Sequence, residues 1–181
     1  QAGHKVFLYD VVDGAAVKAV ARTAAALAKR VTDGKLDKAD CDGIVARMVA
    51  AKTIEDMAPA ALFIEAIAED MAVKRSLFAK LEALARPDAI LATNTSTLSV
   101  TAMAAGLARP ERVVGMHFFN PAQVMKLVEV IRGLASDPAV LDIIDDTANA
   151  WGKVTARSRS TPGFIVNRCA RAYYGEALRL M

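Results

Sequence analysis

Two short apolar runs that lie close together constrain the fold of this chain more than any other feature. The first, residues 113–116, ends at His117, and the second, residues 127–131, begins shortly afterwards. A parallel crossover needs about a dozen residues or more, so the two runs can only pair as antiparallel neighbours. This pairing predicts that Glu129 lies close to His117, although a shift in register by one residue would turn one side chain away.

The predicted pair of His117 and Glu129 has two interpretations. A carboxylate beside an imidazole raises its basicity and fixes its tautomer, which is what a general base requires. Alternatively, His117 is a buried histidine that only satisfies the end of a strand. The spacing alone favours neither interpretation.

The rest of the chain alternates between strand and helix patterns. Besides the two runs above, strands are predicted at residues 5–10, 60–66, 89–92 and 153–156. Helices are predicted at residues 17–31, at 40–48, along the apolar positions Val73, Leu77, Leu81 and Leu84, and from Asp137 to Trp151. Residues 157–162 are expected to form a hinge. This alternation predicts an α/β fold with a parallel first part and an antiparallel tail.

Four motifs follow one another along the same part of the chain. They are Asn-Thr-Ser at 94–96, Gly-Met-His-Phe-Phe-Asn-Pro at 115–121, Met-Lys-Leu-Val-Glu-Val at 125–130 and Thr-Pro-Gly-Phe-Ile-Val-Asn-Arg at 161–168. Their order and spacing closely resemble those of the 3-hydroxyacyl-CoA dehydrogenase family, and the resemblance extends from residue 3 to residue 179. It implies NAD-dependent oxidation of the 3-hydroxyl group of an acyl-CoA thioester.

The resemblance implies a catalytic set. His117 would take the hydroxyl proton while hydride leaves C3, and Glu129 would stabilise the resulting imidazolium. Ser96 and Asn167 match the family's polar residues near the reacting oxygen, where they would also contact the substrate. The residues alone favour two other interpretations: Ser96 caps a helix that starts near Ser99, and Asn167 occupies an exposed helical position.

The resemblance also implies a set of cofactor contacts. Asp10 lies where the family binds the adenosine ribose, which favours NAD over NADP because an acid repels a 2′-phosphate. Ser96, Asn120, Glu69 and Lys74 match residues around the nicotinamide half. Alternatively, Asp10 or Asp13 caps the following helix. For Glu69 and Lys74, the sequence alone favours a pair of ordinary surface charges.

The acyl-CoA substrate is expected to extend beyond these motifs. Lys35 is the candidate contact for the CoA phosphates. Residues 158–174 look most like those of bacterial members that act on 3-hydroxyadipyl-CoA in phenylacetate-type degradation, and a 3-hydroxybutyryl-CoA enzyme is the alternative. Fatty-acid β-oxidation is the family's other setting. No metal site is predicted, because Cys41 and Cys169 have no ligand-type spacing around them.

One family element is missing from the sequence. A glycine loop should lie about twenty residues before Asp10, and no Gly-x-Gly-x-x-Gly occurs in the chain. The expected fold is therefore a Rossmann-type doubly wound sheet that lacks its first strand and glycine loop, over residues 1–157. Residues 158–181 would be the first helix of an all-α domain. A homodimer is expected at full length, whereas the isolated polypeptide should bind NAD weakly and have little activity. A non-catalytic scaffold or degenerate family member is the alternative.

Composition excludes several other classes of protein and of partner. A content of 54% hydrophobic and 24% charged residues excludes a disordered chain. No apolar run approaches the ~20 residues of a membrane span. The net charge of +3 is modest, and the basic residues do not cluster with aromatic ones, so neither a membrane nor a nucleic acid is expected as a partner. Two isolated thiols fit a cytoplasmic protein.

Overall fold

The computed structural model describes residues 2–181 and separates into two compact units. The first unit extends to Ala60, and the second runs from Ala61 to Met181. A sheet of two strands lies in the first unit and a sheet of five strands in the second. The predicted α/β class is confirmed, and so is the antiparallel pairing that follows the parallel part of the sheet. The division after residue 157 stays a prediction.

The first unit contains two parallel strands joined by two helices. In chain order these elements are β1 (Val6–Leu8), α1 (Ala15–Thr32), α2 (Lys38–Ala46) and β2 (Met48–Ala50). The prediction of helix through residue 48 is wrong at its end, because Met48 pairs with β1 as a strand residue. Periodicity does not distinguish a short apolar strand from the last turn of a helix.

The start of α1 excludes one interpretation of Asp10. Gly14 precedes the helix with a φ of 73°, a left-handed conformation that favours glycine, and no side chain caps the first turn. Asp10 instead accepts a hydrogen bond from the Val12 N–H at 2.8 Å and is exposed. The alternative that Asp10 or Asp13 caps this helix is therefore wrong.

The second unit carries the larger sheet and four helices. The strands are β3 (Leu62–Glu65), β4 (Ile90–Thr93), β5 (Val113–Phe118), β6 (Leu127–Arg132) and β7 (Val154–Arg159). The helices are α3 (Met71–Leu84), α4 (Val100–Ala104), α5 (Pro138–Ala150) and α6 (Val166–Arg179). Short 3-10 turns occupy Glu55–Met57 of the first unit and Pro110–Arg112 of the second.

The strand order is β3-β4-β5-β6-β7. The first three strands are parallel, β5 and β6 are antiparallel, and β7 is parallel to β6. The predicted antiparallel pairing is confirmed, and its register places His117 opposite Glu129. The last strand continues to Arg159, so the predicted hinge at residues 157–162 is wrong in its first half. These residues pair with β6 as far as Arg132.

Each face of the sheet buries apolar side chains. Met116 and Val130 pack on one face against α5, whose N-terminus is capped by Asp137 through a 2.9 Å hydrogen bond from the Ala139 N–H, as predicted. The predicted apolar stripe of α3 is wrong at Val73, which is 49% exposed. The buried stripe of that helix consists of Lys74, Phe78 and Leu81.

Helix α6 buries none of its side chains. Tyr173 and Leu178 on this helix are 74% and 71% exposed. Within residues 2–181, none of the helices combines the length and the apolar character that crossing a membrane would demand.

Gly115 is the position where the sheet tolerates no added atom. A Cβ built there would lie 2.7 Å from the Cβ of Ile131 and 3.1 Å from Cγ2 of Val100. We expect Gly115→Ala to lower the free energy of unfolding by about 1–3 kcal/mol, because the buried neighbours must shift. Urea denaturation would measure this change.

A matched control is available on α2. A Cβ at Gly43 would meet only the Arg47 side chain, at 3.5 Å. Gly43→Ala should leave the stability unchanged or raise it by up to about 1 kcal/mol, because alanine favours helix. Equal stability of the two variants would contradict the close packing at Gly115.

Candidate active site

The pairing of β5 with β6 builds the centre of the candidate site. Nδ1 of His117 lies 2.7 Å from Oε2 of Glu129. The Glu129 side chain is fully buried, and His117 is 5% exposed. Side chains alternate along a strand, so this pair points to the sheet face opposite Met116, Val130 and α5. The geometry supports the interpretation of His117 as a base oriented by a carboxylate.

The second oxygen of Glu129 binds the backbone where α6 begins. Oε1 accepts hydrogen bonds from the N–H groups of Ile165 and Val166, both at 2.9 Å. The first N–H groups of a helix have no partner within it, and a carboxylate satisfies them. Glu129 therefore holds the His117 ring with one oxygen and the start of α6 with the other. His117 Nε2 is the ring nitrogen left for a reacting proton.

A left-handed phenylalanine shapes the turn that leads into α6. Phe164 has a φ of 46° and is 3% exposed. Its ring centroid lies 5.9 Å from that of His117, and the Phe119 ring lies at 4.6 Å. A left-handed conformation costs a non-glycine residue about 1–2 kcal/mol, so the surrounding packing must hold it. The turn directs the N–H groups of the next two residues towards Glu129.

The loop after β4 brings Ser96 to the same edge of the sheet. Oδ1 of Asn94 accepts a 2.8 Å hydrogen bond from the Phe118 N–H, which ties this loop to β5 beside His117. The amide of Asn167 donates to the backbone oxygen of Ser96 at 3.3 Å. The structure therefore brings Ser96 and Asn167 together at the carboxyl ends of parallel strands, where α/β folds bind ligands.

The alternative interpretations of Ser96 and Asn167 are not supported. Ser99 itself caps α4, because its hydroxyl oxygen accepts a hydrogen bond from the Ala102 N–H at 3.2 Å. Asn167 is only partly exposed in the first turn of α6. The capping interpretation of Ser96 is therefore wrong, and the binding roles of Ser96 and Asn167 stay predictions.

Glu69 binds the same loop, and Lys74 contacts Glu69. Glu69 accepts hydrogen bonds from the Thr95 hydroxyl at 2.5 Å and the Ser96 N–H at 3.0 Å. The Lys74 side chain is 1% exposed, with its Nζ 2.6 Å from Glu65 and 3.3 Å from Glu69. The interpretation of Lys74 as a surface charge is therefore wrong. A lysine between two carboxylates can be buried because its charge is compensated.

The environment of Glu69 shifts its titration. Partial burial acts to raise the pKa of this carboxyl group. The hydrogen bonds from Thr95, Ser96 and Lys74, together with the lysine charge, outweigh burial and hold the Glu69 pKa below its ordinary value. Glu69 is therefore a stable anion at neutral pH.

The remaining predicted site residues are exposed. Asn120 follows β5 and precedes a cis peptide bond to Pro121. In the first unit, Asp10 follows β1, and Lys35 lies after α1 with its Nζ 3.8 Å from Oδ2 of Asp33. Contacts of these residues, and of Lys74, with a cofactor or substrate stay predictions. Among residues 2–181, no three His, Cys, Asp or Glu side chains are arranged to hold a metal ion.

A family model covers most of the chain. The model of the NAD binding domain of 3-hydroxyacyl-CoA dehydrogenase matches residues 1–161. The chain belongs to the 3-hydroxyacyl-CoA dehydrogenase family. The matched domain is the one that binds NAD in this family, which identifies NAD as the cofactor.

The chain is similar to several bacterial 3-hydroxyacyl-CoA dehydrogenases. It is 48% identical over 179 residues to 3-hydroxyadipyl-CoA dehydrogenase of Escherichia coli K12, covering 99% of this chain and 38% of that protein. It is 40% identical over 176 residues to 3-hydroxybutyryl-CoA dehydrogenase of Clostridioides difficile, covering 97% and 63%. The crystal structure of 3-hydroxybutyryl-CoA dehydrogenase from Escherichia coli K12 matches with a TM-score of 0.96 and 48% identity, over 98% of this chain and 38% of that one. The chain thus spans less than two thirds of these relatives.

Three residues of this dehydrogenase-family site were not singled out from the sequence. They are Glu65, Asn94 and Phe164. A signal existed for Glu65, because it ends an otherwise apolar strand and Lys74 occupies the apolar stripe of α3 at helical spacing. For Phe164, only the adjacent Pro-Gly pair indicated a turn.

The lowered Glu69 pKa predicts a pH-dependent contribution to stability. A carboxyl group with a depressed folded-state pKa stabilises the fold fully above its unfolded value, here the ordinary 4.5. This contribution is lost as the pH falls through the folded-state pKa. Glu69→Gln should therefore be less stable than the wild type at pH 7, and the difference should narrow below about pH 4.5. Thermal denaturation at pH 7 and at successively lower pH would measure it.

Asp146→Asn is the control for this experiment, because it removes one negative charge from an exposed position on α5. A difference between wild type and Glu69→Gln that stays constant down to the acid limit would contradict the assignment.

Proposed function

We propose that the protein oxidises an L-3-hydroxyacyl-CoA to the 3-oxoacyl-CoA with NAD. The observation that carries this proposal is the buried contact of 2.7 Å between His117, near the carboxyl end of β5, and Glu129 on the antiparallel neighbour β6. Membership of the 3-hydroxyacyl-CoA dehydrogenase family supports the reaction type.

His117 is the proposed general base. Glu129 accepts the Nδ1 proton, which leaves Nε2 with a lone pair directed away from the carboxylate. Nε2 takes the proton of the substrate's 3-hydroxyl group, and Glu129 stabilises the imidazolium that forms. The near-complete burial of the pair strengthens this interaction, because little water competes for either group.

Ser96 and Asn167 are the proposed contacts to the reacting oxygen. The Ser96 hydroxyl and the Asn167 amide are neutral donors, so they stabilise a partly negative oxygen without competing for the base's proton. The Asn167 amide also donates a hydrogen bond of 3.3 Å to the backbone oxygen of Ser96, which fixes the loop after β4 against the first turn of α6. Both elements are also tied to the His117–Glu129 pair, through Asn94 and through the start of α6.

The residues present fit the NAD that the family implies. Asp10 is exposed and uses one carboxylate oxygen for the Val12 N–H, so the other is open to a ribose hydroxyl. Ser96, Glu69 and Asn120 lie at or after the carboxyl ends of the strands, where the nicotinamide half is proposed to bind. Bound NAD supplies the acceptor for the hydride that leaves C3.

The substrate is proposed to be 3-hydroxyadipyl-CoA, with 3-hydroxybutyryl-CoA as the competitor. Sequence identity does not rank the two thioesters, because a 3-hydroxyadipyl-CoA dehydrogenase and a solved structure named 3-hydroxybutyryl-CoA dehydrogenase, both from Escherichia coli K12, are each 48% identical to the chain. The resemblance of residues 158–174 supports this order and hence phenylacetate-type degradation. Lys35 is the proposed partner of the CoA phosphates. Comparing kcat/KM for the two thioesters decides between them, and a higher value for the butyryl substrate would reverse the choice. A homodimer and a cytoplasmic location stay predictions.

Replacement of His117 tests the proposed reaction. In the full-length protein, His117→Ala should lower kcat by about 10²- to 10⁴-fold, because the hydroxyl proton loses its acceptor. Affinity for the acyl-CoA should be retained, since the imidazole acts in the transition state. Steady-state kinetics and calorimetry would measure these two quantities.

His4→Ala is the matched control, because His4 is the other histidine of the chain and should be replaceable without loss of kcat. An unchanged rate in His117→Ala would remove this residue from the base role. A wild-type protein without turnover of either thioester would favour the non-catalytic scaffold instead.

A further inference from the structure

The connection between β5 and β6 begins directly after the proposed base and carries one proposed cofactor contact. It runs from Phe119 to Lys126, and the Phe119 ring packs against His117 with 4.6 Å between the ring centroids. Asn120 is the next residue and is exposed. A group that holds the β5–β6 connection in place therefore also holds Asn120 beside the base.

One turn and one strand contact order the backbone of the β5–β6 connection. The carbonyl oxygen of Pro121 accepts hydrogen bonds from the N–H groups of Val124 and Met125, both at 2.9 Å. The carbonyl oxygen of Lys126 accepts one from the Val154 N–H of β7, also at 2.9 Å. Val124 and Met125 are 68% and 42% exposed, so the packing of their side chains contributes little to holding the turn.

The Lys153 side chain binds this turn from the other side. Lys153 lies between α5 and β7, and its amine donates hydrogen bonds to the carbonyl oxygens of Ala122 and Met125, the second at 2.8 Å. Hydrogen bonds from an ammonium group are charge-assisted and stronger than those between neutral groups. Carbonyl groups outside a helix or sheet need such a partner from elsewhere. Lys153 thus joins both ends of the turn to the start of β7.

We propose that Lys153 is a positioning residue that holds the β5–β6 connection and, through it, keeps Asn120 in the place that the reaction requires. The inference rests on the proposed function, because the role of Asn120 belongs to that function. Asn120 lies two residues before the carbonyl group of Ala122 that Lys153 binds. A misplacement of a positioning group by about 1 Å lowers the rate of an enzyme strongly.

Replacement of Lys153 in the full-length protein tests the proposal. Lys153→Met keeps the apolar stem and removes the ammonium group, and it should lower kcat/KM for NAD about tenfold, because Asn120 is no longer held. Lys153→Arg keeps a cation with several donors and should recover at least about half of the wild-type value. Lys80→Met is the same substitution at an exposed position of α3, and this control should match the wild type.

A double variant tests whether Lys153 acts through Asn120. Asn120→Ala alone should lower kcat/KM for NAD by at least about tenfold. Adding Lys153→Met should change that value by less than about twofold, because two residues that act through one contact are not additive. Losses that multiply would overturn the proposal. An unchanged rate in Asn120→Ala would also overturn it, since Lys153 would then have no contact to position.

Backbone hydrogen exchange supplies a readout that does not need turnover. The N–H groups of Val124 and Met125 should exchange at least about tenfold faster in Lys153→Met, because the turn has lost two hydrogen bonds. Lys153→Arg should restore their protection. If Lys153→Met does not fold, Lys153→Gln replaces it in every comparison, since it also lacks the ammonium group but stays polar. Unchanged exchange would overturn the proposal.

The remaining outcomes separate this proposal from two other accounts. A lower melting temperature with unchanged kcat/KM and unchanged exchange would overturn it, because Lys153 would then be only structural. If the wild type turns over neither thioester, the dehydrogenase proposal fails, and the exchange rates still decide whether Lys153 holds the β5–β6 connection.

Discussion

The buried carboxylate of Glu129 is the interaction on which the rest of the site depends. It joins three segments that are distant in sequence: the strand that carries His117, its own strand, and the turn into α6. A fully buried carboxylate is tolerated only when its oxygens are satisfied, and here both are. The orientation of the imidazole and the place where α6 begins are thereby set by the same group. Any change at Glu129 would affect both.

A second carboxylate, Glu69, holds another part of the site in place. Glu69 fixes the loop that carries Ser96, while Asn94 links that loop to β5. The base and the polar contacts for the reacting oxygen are therefore held by separate carboxylates, Glu129 within β6 and Glu69 in the connection after β3. Anchoring loops to strand ends in this way limits their motion, which is what a site for proton and hydride transfer requires.

The sequence predicted the pair of His117 and Glu129 better than it predicted the residues that surround this pair and the Ser96 loop. The connection between β5 and β6 is too short for a parallel crossover, so the two strands had to be antiparallel. Their register then brought His117 to Glu129. Lys74 was misjudged because a charged residue counts as a surface residue until its partners are known, and its partners come from β3 and the following connection. The left-handed Phe164 has no local signal either, because packing around His117 holds it there.

The tautomer of His117 tests the central claim most directly. Nitrogen-15 NMR of the histidine ring reports which nitrogen carries the proton. The spectrum is recorded on the full-length protein at a pH where the imidazole is neutral. The account predicts a proton on Nδ1, donated to Glu129, and an unprotonated Nε2, with this preference lost in Glu129→Gln. A proton on Nε2 in the wild type would contradict it, because the nitrogen left for the substrate would then be a donor and could not act as the base.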